Sequence, residues 1–289
     1  MMETLIAKLC SFVGVLMPFE CMQMHFMQQA MLAILLCAPM AAVMGVQIVN
    51  FRMAFFSDAI GHSAFAGVAI GLIFSVSPNL TMPLLALATG LGIMTLSLKS
   101  KLSSDTIIGV FFSAVVAFGL AIVSRNRNVA RDMQMFLYGD ILTIDDAGVI
   151  ILGGIFAIFI VFQLLCYNRL TSIGIDSKLA RAHKINITLY QYAFAALLSL
   201  IVIFSVRAVG VILVTALLVV PAATAKNLCK SSSSMFWISM ITGLSSGVTG
   251  LVISAQEWAQ TAAGATIVLC ACILFCISAV VGLISKKLR

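Results

Sequence analysis

The sequence predicts an all-α fold, a polytopic bundle of about eight to nine transmembrane helices, and three observations carry that prediction. The chain is 62% apolar and only 9% charged, against roughly 25% charge in a soluble domain. Several apolar runs reach the roughly 20 residues that a helix needs to cross a bilayer. These runs are continuous and do not alternate in and out, which excludes the strands of a membrane barrel and leaves helices to satisfy the backbone.

Taken in order, residues 1–25 read as an N-terminal interfacial segment and residues 26–289 as the transmembrane domain. Glu3 precedes Lys8 with no basic cluster ahead of the apolar stretch, and Pro18-Phe19-Glu20 makes a poor cleavage site, so no signal peptide is expected. Between polar punctuation the candidate spans are 26–48, 53–77, 80–98, 106–124, 147–167, 188–205, 208–228, 235–253 and 262–284. Ser77-Pro78-Asn79 alone separates the second from the third, as a tight turn. Gly243, Gly247 and Gly250 predict close helix packing in the eighth, because small residues let backbones approach.

Charge sets the orientation. With the loop 168–187 in the cytosol, alternation places twelve of the seventeen Lys and Arg residues inside, including Arg52, Lys99, Lys101, Lys226, Lys230 and the C-terminal cluster. Seven of the ten acidic residues fall outside. This is the positive-inside pattern, with the N-terminus outside and the C-terminus in the cytosol. The net charge of +7 is therefore a consequence of topology, and no nucleic-acid partner is expected.

Asp58 and His62 stand out because they lie inside an apolar run. Ionisable groups at membrane depth cost about 2.5–3.5 kcal/mol on insertion scales and usually face a bundle interior, where they serve transport. Spacing i, i+4 puts both on one helix face, offering a carboxylate oxygen and an imidazole nitrogen. That donor set suits zinc or manganese, although two ligands alone also describe a cavity-facing polar pair. Counting helical rise from Arg52 puts His62 roughly 15 Å deep, near the midplane where transporters hold cargo.

Other chemistry is sparse. No GxxxxGK[ST] loop is present to supply ATP hydrolysis, and no HExxH. Gly243-Leu-Ser245-Ser-Gly247 fits GxSxG, but a hydrolase needs that serine on a strand–turn–helix elbow. The eight cysteines form no CxxC pair; Cys272 and Cys276 share a helix face but are expected to pack as small apolar residues. In the basic loop, residues 176–185 predict a short helix capped by Asp176. It either bridges two spans or docks into a soluble partner.

Two segments carry a family resemblance. Met53-Ala-Phe-Phe-Ser-Asp58-Ala-Ile-Gly-His62-Ser-Ala-Phe-Ala-Gly67-Val-Ala-Ile-Gly71 resembles the signature "M-x-x-x-G/S-D-A-x-x-H-x-x-x-x-G-x-A-x-G" of permease subunits of bacterial ABC importers for zinc, manganese and iron. Val209 to Ala225, through Gly210, Thr215, Pro221 and Thr224, resembles that family's "V-G-x-L-L-V-x-A-L-L-x-I-P-A-A-T-A". Met135 to Asp140 and Ala263 to Leu269 are shorter matches, and the likeness runs from about Phe26 to Leu283.

The resemblance implies a transport subunit rather than an enzyme, multi-pass in the bacterial inner membrane, with Asp58 and His62 as the metal pair. It implies a coupling helix at Asp176, Lys178, Leu179, Ala180, Arg181, His183 and Lys184. The implied partners are a cytosolic ABC ATPase, an extracytoplasmic metal-binding protein and a second permease subunit, identical or paralogous. No cofactor is expected to stay bound; zinc, manganese or iron would be cargo. The chain departs from the family at Lys184, where a glycine is usual, and at Gln260 and Ala262, where an acidic residue and proline are common. Glu257, nearly one turn earlier, is a candidate substitute for that acid. The rival readings are an ion-coupled secondary transporter using Asp58 and an intramembrane hydrolase using Ser245.

Overall fold

The structure, a computed structural model, describes residues 23–124, 141–256 and 259–287. It is helical throughout these segments: α1 His25–Phe51, α2 Phe56–Ile73, α3 Pro78–Lys99, α4 Ser104–Val123, α5 Asp146–Ile175, α6 Ser177–Ala182, α7 Ile187–Val209, α8 Val211–Leu228, α9 Ser232–Ser254 and α10 Ala263–Lys287. All but α2 and the short α6 are long and apolar enough to cross a membrane. At eighteen residues α2 rises about 27 Å, close to the thickness of the hydrocarbon core. The bundle of eight to nine spans is as the sequence predicts. Residues 1–22 of the expected interfacial segment lie outside the described residues.

Helix ends follow local chemistry. Pro78 opens α3 at its first turn, where its missing N–H is no loss. Ser103 caps α4 by accepting from the Thr106 N–H at 3.2 Å, and Ser231 caps α9 by accepting from Ser234 at 3.3 Å. One boundary differs from expectation. The fifth span, expected to end at 167, continues as α5 to Ile175. Nothing between Asn168 and Ile173 breaks a helix, and the Ser172 hydroxyl donates back to the Asn168 carbonyl at 2.9 Å. The predicted cytosolic loop is therefore mostly helix.

The chain divides into two compact units. One comprises residues 1–46, 139–157 and 208–289. Here α1 is packed through small residues. A Cβ at Gly45 would collide with the Leu218 carbonyl of α8, while Gly243 and Gly247 of α9 sit against Ala42, Ala38 and Ile34 of α1. The Ser239 hydroxyl donates to the Ala42 carbonyl across 2.7 Å. The glycine packing expected for the eighth span is what this unit uses, and Gly250 gives α10 the same close approach at Ile267.

The other unit comprises residues 47–138 and 158–207. The signature glycines Gly67 and Gly71 let α2 lie on the start of α3, since an added Cβ would meet Met82 Cα and Thr81 Oγ1, each at 2.8 Å. Helix α4 covers α2 near Gly119, and α3 is tied to α7 by a Thr95–Tyr192 hydroxyl pair at 2.8 Å. Large apolar side chains at Leu164, Leu165, Leu269 and Leu283 are exposed on helix surfaces, as lipid contact requires.

Candidate metal centre

The site starts at a chain reversal. Helix α1 ends with Arg52 in left-handed conformation (φ 56). The Met53 N–H donates to the Ile48 carbonyl at 3.0 Å and the Arg52 N–H to Val49 at 3.3 Å. This is the Schellman pattern, which satisfies carbonyls that a helix end leaves unpaired. Helix α2 begins at Phe56, so Asp58 sits in its first turn, where the helix dipole favours a carboxylate. The break also means that no continuous helix runs from Arg52 to His62. The sequence estimate assumed continuous helix from Arg52, whereas His62 lies only about 9 Å along α2 from Phe56.

Asp58 and His62 are both half-buried. His62 Nδ1 lies 2.9 Å from the Asp58 backbone carbonyl. A carbonyl only accepts, so Nδ1 carries the proton and the lone pair of the neutral ring is on Nε2. The ring is held edge-on between Phe65 (centroids 5.4 Å) and Phe112 of α4 (4.9 Å). Tautomer and ring plane are thus both set, which is how a ligating histidine is prepared for a metal. Among the described residues no group of three or more His, Cys, Asp or Glu gathers to close a metal site.

The second predicted element is α6. Asp176 caps it, its carboxylate accepting from the Lys178 N–H at 2.8 Å and the Leu179 N–H at 3.3 Å. Ala180 is buried, whereas Lys178, Leu179, Arg181, His183 and Lys184 are exposed. Leu179 stands 58% exposed among basic neighbours. Lys184 has φ 58, and the Ile185 N–H donates to Ala180 at 3.1 Å, a second Schellman ending. The departure from glycine noted in the sequence therefore falls on a left-handed position, where glycine carries no steric penalty.

The remaining candidates separate cleanly. Ser245 lies within continuous α9 and its hydroxyl donates to the Thr242 carbonyl at 3.0 Å, so the GxSxG match is helix packing with no nucleophile elbow. Cys272 is half-buried and Cys276 exposed on α10. Gln260 and Ala262 are exposed. Glu257 and the match at Met135 to Asp140 lie outside the described residues. The structure also draws attention to residues the sequence reading passed over: Gly45, in register with the small residues Ala38 and Ala42, and Gln47, a buried polar residue near the end of an apolar helix.

Comparisons with known proteins follow the same lines. Residues 23–282 match the model of the ABC 3 transport family. The high-affinity zinc uptake system membrane protein ZnuB of Haemophilus influenzae is 32% identical over 251 residues, covering 86% of this chain and 95% of that protein. The manganese transport system membrane protein MntC of Listeria monocytogenes is 31% identical over 257 residues, covering 89% of this chain and 91% of its own. In the solved structure of PsaBC from Streptococcus pneumoniae in complex with Fab, one chain superposes with TM-score 0.74 at 28% identity, covering 94% of this chain and 95% of that one.

Proposed function

This chain belongs to the ABC 3 transport family, and on that premise we propose that it is the membrane-spanning subunit of an ATP-driven importer of a divalent transition metal, zinc or manganese. One observation carries the metal assignment. Asp58 and His62 stand one turn apart on α2, with the imidazole pinned through Nδ1 so that Nε2 is the free donor. A hard carboxylate oxygen with one borderline imidazole accommodates both metals. The relatives' names divide between zinc and manganese in the same way.

In this reading the ion is held while Asp58 is ionised and His62 neutral, then released to the cytosol as the subunit alternates its access. A second permease subunit completes the pathway, an extracytoplasmic binding protein delivers the ion, and α6 receives a separate cytosolic ATPase. Leu179 supplies the apolar anchor for that contact and Arg181 and Lys178 its basic rim. No reaction on the cargo itself is expected. Family membership favours ATP coupling over the proton-coupled reading of Asp58, and loss of uptake without ATP in the presence of a proton gradient separates the two.

The test is metal content and affinity of the chain purified with its ATPase, by mass spectrometry and competition titration across zinc, manganese and iron. Stoichiometric binding that disappears in Asp58→Asn supports the assignment and ranks the metals. Unchanged stoichiometry and affinity in Asp58→Asn would refute it.

A further inference from the structure

Inside the unit that holds the metal pair, the last turn of α1 is gripped by the two helices that flank α6. Gln47, fully buried, donates from Nε2 to the Thr171 hydroxyl of α5 at 3.1 Å. One turn on, Gly174 of α5 comes so close to α1 that an added Cβ would stand 3.0 Å from Asn50 Cβ and 3.5 Å from Phe51 Cε1. From the other side Phe194 of α7 meets Phe51 edge-on, centroids 5.3 Å apart. Helices α5 and α7 are themselves joined near α6, where the Arg169 guanidinium lies 5.3 Å above the Tyr190 ring and bonds its hydroxyl.

Connectivity gives this grip a direction. Only Asp176 separates α5 from α6, so Thr171 is joined through a single turn of helix to the exposed segment. Only residues 52–55 separate α1 from α2, so Gln47 is joined by a short corner to Asp58 and His62. We propose that Gln47 and Thr171 are positioning residues for transport, transmitting displacement of α6 through α5 to the end of α1 and so to the metal pair.

The hydrogen-bond accounting supports a movable joint over a static one. Gln47 Oε1 and Asn50 Nδ2 are buried with no hydrogen-bond partner among the described residues. Orphaned groups of this kind are rare, and an apolar pair of the same shape would hold two helices together better. Spare donors and acceptors beside an existing bond are what a joint needs if its partners exchange when one helix shifts against another.

The inference rests on the transport function proposed above, and its test keeps the two apart. Wild type, Thr171→Val, Thr171→Ser and Gly174→Ala are reconstituted with the ATPase and binding protein. Labelled zinc or manganese uptake and ATP hydrolysis are then read in the same vesicles. Thr171→Val keeps shape and loses the hydroxyl. It should lower metal moved per ATP hydrolysed by about five- to tenfold, in line with losing the buried bond to Gln47, along with the hydroxyl's bond to Tyr167. Hydrolysis and metal affinity should stay within about twofold of wild type. Thr171→Ser should restore the ratio, and Gly174→Ala should lower it without touching the hydroxyl. An unchanged ratio in Thr171→Val, or ratio, hydrolysis and affinity falling together, would overturn the proposal. If wild type itself shows no ATP-dependent uptake, the transport function fails first and this inference falls with it.

Discussion

One nitrogen decides what His62 can do. With Nδ1 donating to the Asp58 carbonyl, only Nε2 remains for an ion, and protonating it removes the lone pair and puts a positive charge beside the metal. Metal binding must therefore release a proton whenever the ring is protonated beforehand. Occupancy measured by titration should fall on acidification, and His62→Ala should lose both the binding and this histidine-dependent part of the pH profile. Persistence of the same profile in His62→Ala would assign the proton elsewhere. The pair itself was legible because two ionisable residues interrupt an apolar run at helical spacing. The pinned tautomer was not, since it depends on a rotamer and on Phe112, which sits on another helix.

At the scale of elements, the ends of helices account for most of what sequence reading missed. Lys184 looked like a change at a partner surface; the structure shows a left-handed backbone position that a lysine occupies under steric strain. Lys184→Gly should raise the stability of the purified chain by about 1 kcal/mol, read as a higher unfolding temperature, if relieving that strain outweighs glycine's entropy. Gly210, between α7 and α8, adopts φ 88 and ψ 159, a region essentially closed to side chains. Gly210→Ala should accordingly destabilise by about 1–3 kcal/mol in the same assay. Gly45 is constrained by packing instead, and Gly45→Ala must push α1 off the Leu218 carbonyl, a comparable loss of about 1–3 kcal/mol. The extension of α5 to Ile175 escaped notice because polarity marked the end of the membrane, which is not the end of a helix.

For the whole molecule, hydropathy carried the architecture: the membrane-length runs and their number were legible in the sequence. What it could not supply was which helices pack together. That is written in single glycines and serines, such as Gly243 and Ser239 against Ala42, whose partners lie about two hundred residues away in sequence. Assembly offers its own test. Leu179→Asp places a charge on the exposed anchor of α6 and should abolish co-purification of the ATPase while leaving the purified chain as stable as wild type. Retained co-purification would move the docking surface off α6. The most direct test of the account as a whole is ATP-dependent uptake of radioactive zinc and manganese into vesicles carrying the assembled importer, comparing wild type with Asp58→Asn. Uptake of at least one metal by wild type, reduced to background in Asp58→Asn with assembly intact, is the predicted result. Wild-type uptake in the variant would contradict it.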